Sequence, residues 1–130
     1  MSREVSLPSG ALLKVNAAPF PEANNLYKAI LKEAQERDLN TLNFAKQVYC
    51  IAYSSVFVEA SLWKCLERCF YNNGVDLKIT LSTFEPESAR QDYAVVVAEV
   101  IRENVEPFFR NLSAVSSILS EITGKVQKSE

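Results

Sequence analysis

Apolar residues recur along this chain at two periods, and the change from one to the other marks the elements it predicts. In residues 3–16, REVSLPSGALLKVN, Val5 and Leu7 alternate with Glu4 and Ser6, and Leu13 and Val15 alternate with Leu12 and Lys14. That is the period of a strand, and Pro8, Ser9 and Gly10 between the runs supply a fixed φ and a tolerance for positive φ. The spacing predicts a β-hairpin over residues 1–16. A lone hairpin is marginal in water, so it must lie on helices, pair with another strand, or join a neighbouring subunit through its exposed edge.

Beyond Ala17–Pro21 the period lengthens to that of a helix. Leu26, Ile30 and Ala34, widened by Tyr27 and Leu31, form a stripe that starts at Pro21 or Glu22 and ends near Arg37. Asp38–Thr41 connect it to a second helix built on Phe44, Val48, Ile51 and Ala52 and broadened by Tyr49, Cys50 and Tyr53. Residues 54–70, SSVFVEASLWKCLERCF, predict the central core helix. Starting near Ser55, it carries Val58, Leu62, Cys65, Leu66, Cys69 and Phe70 on one side, Trp63 at that side's edge, and Ser61, Lys64, Glu67 and Arg68 opposite. Ser55 and Glu59 suit a helix start, and Asn72, Asn73 and Gly74 a helix stop.

Val75–Leu81 alternates again and is the internal candidate to pair with the N-terminal hairpin. A further helix is expected over residues 86–104, with Ala89, Tyr93, Val96, Val97, Val100 and Ile101 on one face. Arg90 falls in the same arc, where it must snorkel outwards or meet a carboxylate such as Glu59. Pro107 marks a kink or restart. After it Phe108, Leu112, Val115, Leu119 and Ile122 recur at the alternating spacing of a lengthwise packing seam, with Phe109 and Ile118 beside it. The expectation is therefore a mainly α, single domain of about five helices with an N-terminal hairpin. The hairpin takes residues 1–16, the helices residues 21–122, and residues 123–130 form a frayed or disordered tail.

Composition narrows the function. The 130 residues, 48% hydrophobic and 23% charged, suit one domain. A net charge of -2 offers no basic field for phosphates, which makes nucleic acid an unlikely ligand. No apolar run reaches the roughly 18 residues of a membrane span, and MSREVSLPSG does not read as a signal peptide, so a cytoplasmic protein is expected. Histidine is absent, which removes the commonest general base and metal ligand. Three glycines leave no phosphate-cradling loop.

Cys65 and Cys69 share a helix face and could approach a metal or redox centre, but their apolar neighbours and the single remaining thiol, Cys50, favour inert core cysteines. Arg90, Asp92, Glu85 and Glu87 cluster at a helix start, where the helix dipole explains the acids without invoking an active site. The second and central helices raise a helix-turn-helix, yet the expected recognition helix opens on Val56, Phe57, Val58 and Glu59 instead of cations or amides. No metal, cofactor or enzymatic activity is expected. The apolar seam is the candidate partner-binding surface, through Phe108, Phe109, Leu112, Val115 and Leu119.

The segments EVSLPSGALLKVNAAPF, LWKCLERCFYN, LKITLSTFEPESARQDY and ENVEPFF, in this order over most of residues 4–110, resemble the tail assembly chaperones of long, non-contractile-tailed bacteriophages. That resemblance implies a small, largely helical, non-enzymatic protein of the host cytoplasm. It implies binding to the long, mostly helical tape measure protein and absence from the mature virion; self-association is an option that the exposed strand edge of the hairpin offers, and it would give several copies avidity along one client. It also implies a longer frameshifted form that recruits tail tube protein. Thr123, Gly124 and Lys125 are compatible with the slippery codons ACG GGA AAG. The alternative is a small DNA-binding regulator or anti-repressor of phage or prophage origin.

Overall fold

The structure, a computed structural model, describes residues 2–37 and 44–109. The N-terminal hairpin forms as expected, from β1 (Ser2–Ser6) and β2 (Leu12–Asn16), with Val5 opposite Leu13. Gly10, at φ +97°, makes the turn, and Leu7 and Ala11 close it through backbone hydrogen bonds. Then α1 (Phe20–Glu36) carries Ala23, Leu26 and Ile30 into the core. Next come α2 (Phe44–Ser54) and α3 (Val56–Leu66), separated by Ser55 alone.

Ser55 is where the expected start of the central helix is realised. Its hydroxyl accepts from the Val58 N–H at 3.3 Å and donates to Glu33 Oε1 on α1 at 2.5 Å. A buried serine thus caps one helix and ties it to another. Val58, Leu62, Cys65 and Leu66 are buried, the face that the spacing indicates.

Beyond Leu66 the expectation fails. The chain turns at Glu67–Cys69 and enters β3 (Phe70–Asn72), which pairs with β2, and a second hairpin leads into β4 (Asp76–Lys78). Asn72 and Gly74 therefore build a hairpin turn instead of stopping a helix. The Asn72 side chain accepts from the Gly74 N–H at 2.9 Å, and Gly74 sits at φ +110°. The segment around Asp76–Lys78 is extended, as its alternation indicates, but it pairs with β3 and not with the N-terminal hairpin. The result is a four-stranded antiparallel sheet in the order β1-β2-β3-β4, so the fold is α+β and the mainly α expectation is overturned.

The expected helix over 86–104 is also divided. After a 3-10 turn at Leu81–Phe84 come α4 (Glu87–Arg90) and α5 (Tyr93–Asn104), broken at Gln91–Asp92. The break delivers the fully buried Asp92 to the two hairpins. Its carboxylate accepts from the Ser9 N–H at 3.0 Å, the Ser9 hydroxyl at 2.5 Å and the Tyr71 hydroxyl at 2.6 Å. Arg90, next to it, faces outwards and pairs with Glu85 at 3.7 Å, not with Glu59. At the far end of α5, buried Asn104 accepts from the Ala18 N–H at 2.7 Å. Between these ends Arg3 of β1 meets Glu99 at 2.8 Å and Glu103 at 3.2 Å. The inner face of the sheet, Leu13 and Val15, and the apolar face of α5, Val96, Val97, Val100 and Ile101, belong to one buried cluster with α1, α2 and α3.

After a turn at Val105 the chain restarts as α6 (Glu106–Phe109), with Pro107 in its first turn. Leu112, Val115, Leu119 and Ile122, and with them most of the seam and the tail from residue 123, lie outside the described residues. Among the described residues no helix is long and apolar enough to cross a membrane.

Replacing Asp92 by alanine leaves three donors facing a void and is expected to lower stability by about 3–5 kcal/mol. Ser9→Ala, which keeps the backbone donor, should cost only about 1 kcal/mol. Urea unfolding of both variants checks this, and equal small losses would show that Asp92 does not hold the hairpins to α5.

Candidate functional site

Aromatic side chains at the edges of the helix stripes meet on one side of the molecule. Tyr53 of α2, Trp63 of α3, Phe84 of the 3-10 turn and Tyr93 of α5 line an open groove of about 330 Å³ with Leu81 and Arg90. The rings hold one another. Phe84 and Tyr93 meet edge to face with centroids 5.0 Å apart, Trp63 and Tyr93 stack at 6.4 Å, and Tyr53 tilts against Tyr93 at 5.8 Å. Such pairs contribute about 0.5–1.5 kcal/mol each beyond burial, so the groove floor is pre-formed. Tyr71, held by Asp92, continues the series by contacting Phe84 at 5.9 Å.

The rim differs from the floor. Leu81 is 76% exposed and Tyr53 54% exposed. The apolar rim passes from Tyr53 to the α2–α3 corner, where Val56 and Phe57 also face solvent and Lys32 lies over the Phe57 ring at 5.2 Å. One cation stands at the mouth: Arg90, whose Nε donates to the Phe84 carbonyl at 3.2 Å and whose Nη2 faces Glu85. Burial, and after it the charge of Glu59, hold the Tyr93 phenol above its ordinary value, so it remains a neutral donor at the groove wall. The arrangement is suited to receiving apolar side chains with a carboxylate beside them. It has the composition of a peptide-binding groove.

Other candidates take quieter places. Phe109 is buried in the core, and half-buried Phe108 stacks on Tyr27 at 5.1 Å and approaches exposed Phe20 at 6.1 Å. Leu112, Val115 and Leu119 lie outside the described residues. Cys65 and Cys69 are buried, their thiols directed at the carbonyls of Glu22 and of Asn16 and Cys65 at 3.9–4.0 Å. Among the described residues no group of three or more metal-ligating side chains forms. Glu85 and Glu87 are exposed near helix starts, whereas Asp92 is a structural acceptor. In the sequence Tyr53, Trp63 and Tyr93 stand out only as members or wideners of apolar stripes; their common position at stripe edges is the available signal.

No family model, curated protein or solved structure matches this chain.

Burial pushes the Cys65 thiol from 9.0 up to about 12, with Glu22 a lesser cause. A thiol whose folded pKa is raised adds its full share of stability below the unfolded value and loses it as pH rises from about 9 towards 12. Stability should therefore fall in that window by at most about 1.4 kcal/mol per pH unit from this group. Urea midpoints across the window should show a shallower decline in Cys65→Ala than in the parent; identical slopes would mean the thiol ionises freely in the folded state.

Proposed function

We propose that this chain is a non-enzymatic tail assembly chaperone that holds the tape measure protein of a long-tailed bacteriophage soluble until tube subunits enclose it. The reading is carried by the aromatic groove with its exposed apolar rim, and its sequence motivation is the ordered resemblance over most of residues 4–110. A long helical client presents apolar side chains at i, i+3 and i+4 spacing, and a pre-formed floor of rings with an apolar lip accommodates such a stripe. Arg90 at the mouth meets the carboxylates that flank a stripe on an amphipathic helix. Each groove engages only a short length of client, so individual contacts are modest, and several copies on one client raise the overall affinity. Release by polymerising tube protein requires that modesty.

In this account the chain works in the host cytoplasm and leaves before the virion matures. A longer frameshifted form brings tail tube protein to the complex. The first turn of α3 offers exposed Val56, Phe57 and Glu59, which favours a protein contact over the phosphate contact of the DNA-binding alternative.

Co-expression with the tape measure protein tests the proposal. The parent chain should move the client from the pellet to the soluble fraction and co-purify with it. Tyr53→Ser with Leu81→Asp, both at exposed positions, should reduce client capture at least about tenfold while costing about 0.5–1.5 kcal/mol of stability for the lost Tyr53–Tyr93 ring pair and no more than about 0.5 kcal/mol at Leu81, which leaves the chain folded. A client that aggregates equally with and without the parent overturns the proposal. A double variant that captures client as well as the parent removes the groove from it.

A further inference from the structure

The sheet ends in a strand that is complementary to itself. The Ile79 N–H donates to the Cys69 carbonyl at 3.1 Å, and Asp76, Leu77 and Lys78 pair with Asn72, Tyr71 and Phe70 in the same register. That parity turns the backbone of Leu77 towards β3 and leaves the N–H and C=O groups of Asp76 and Lys78 pointing out of the free edge of β4. On one face of this edge stand Asp76 and Lys78. On the other stands Leu77, 64% exposed, at the wall of a groove of about 560 Å³ that Tyr71, Val75, Pro86 and Ala89 also line. Val75, just before the strand, is 66% exposed.

We propose that β4 pairs antiparallel with β4 of a second copy of this chain about a two-fold axis at Leu77. The symmetry sets each Asp76 opposite the other copy's Lys78, twice over. The outward backbone groups of Asp76 and Lys78 exchange four hydrogen bonds, and the two Leu77 side chains form the close, non-hydrogen-bonded pair that covers both grooves. The two sheets become one continuous sheet of eight strands. Lys78 has no ion-pair partner among the described residues, so its charge is available. Asp76 is held as a carboxylate by the Asn72 amide at 2.8 Å and by Lys14 at 3.2 Å, and has lone pairs to spare. The opposite edge lacks this property: a two-fold axis at the centre of β1 sets Glu4 against Glu4, and Arg3 is already engaged by Glu99 and Glu103. The interface is independent of the client groove, since it needs neither Tyr53 nor Trp63.

Sedimentation equilibrium of the full chain from micromolar to millimolar concentration should show a monomer–dimer equilibrium. Asp76→Lys alone and Lys78→Asp alone each set like charges opposite one another and should weaken dimerisation by about tenfold or more. An equimolar mixture of these two variants restores both opposite-charge pairs and should dimerise like the parent. In a Cys50→Ser background, Leu77→Cys brings two Cα atoms to about 4.5 Å, within disulfide range, and should cross-link under mild oxidation, whereas Lys28→Cys on α1 should not. A chain that is monomeric at every concentration overturns the proposal. So does a dimer that is indifferent to the charge variants, or one whose mixture fails to recover.

Discussion

The structure depends on one buried carboxylate. Asp92 lies at the break between α4 and α5 and accepts from the turn of the first hairpin and from the tyrosine of the third strand. A carboxylate removed from water is costly unless its lone pairs are filled, and here three donors fill them. The satisfied network specifies one arrangement: the first turn, β3 and the start of α5 can be joined only in this relative placement. Asn104 and the Arg3 pairs repeat the device further along α5, so the helix is fastened to the hairpins at its start, to β1 along its length and to the segment between β2 and α1 at its end. Tyr71 links this framework to the groove. Burial first, and then Asp92, hold its phenol above the ordinary value, which keeps it a donor to Asp92 while its ring faces Phe84.

The sheet and the helices are unequally legible in the sequence. Where a segment's local pattern agrees with its final surroundings, sequence reasoning finds it: the hairpin about Gly10, the α1 stripe of Leu26 and Ile30, and the Ser55 start of α3. Phe70–Asn72 reads wrongly as helix because Cys65, Leu66, Cys69 and Phe70 continue a helical stripe. The same residues serve a helix up to Leu66 and a strand from Phe70, and tertiary pairing with β2 decides between them. Asn-Asn-Gly is ambiguous in the same way, a helix stop or a hairpin turn depending on whether a paired strand comes after it. Asp92 reads as a helix-start acid. Its actual role depends on Ser9 and Tyr71, and nothing at the sequence position announces donors 83 and 21 residues away. The groove is illegible for a related reason. Its aromatic residues come from four separate segments, each at a stripe edge where a ring fits either a core or a surface.

The division between a pinned interior and an apolar exterior gives the proposed chaperone its physical logic. A protein that must hold a client and later surrender it gains from a floor that does not rearrange and a lip that stays exposed. The Phe84–Tyr93–Trp63 cluster supplies the first, and Leu81, Tyr53 and the Val56–Phe57 corner the second. The 3-10 turn at Leu81–Phe84 borders this groove on one side and the Leu77 groove on the other. Client binding and pairing of copies therefore use neighbouring but separate surfaces, which is what arraying several chaperones along one client requires.

The central claim is that the client's helix seats on the aromatic floor, and the chain carries its own reporter there, since Trp63 is its single tryptophan. Titrating the chain with tryptophan-free helical segments of the tape measure protein should give a saturable change in Trp63 emission with the same midpoint as binding measured calorimetrically. Binding that saturates in the calorimeter while the Trp63 emission stays constant would contradict it.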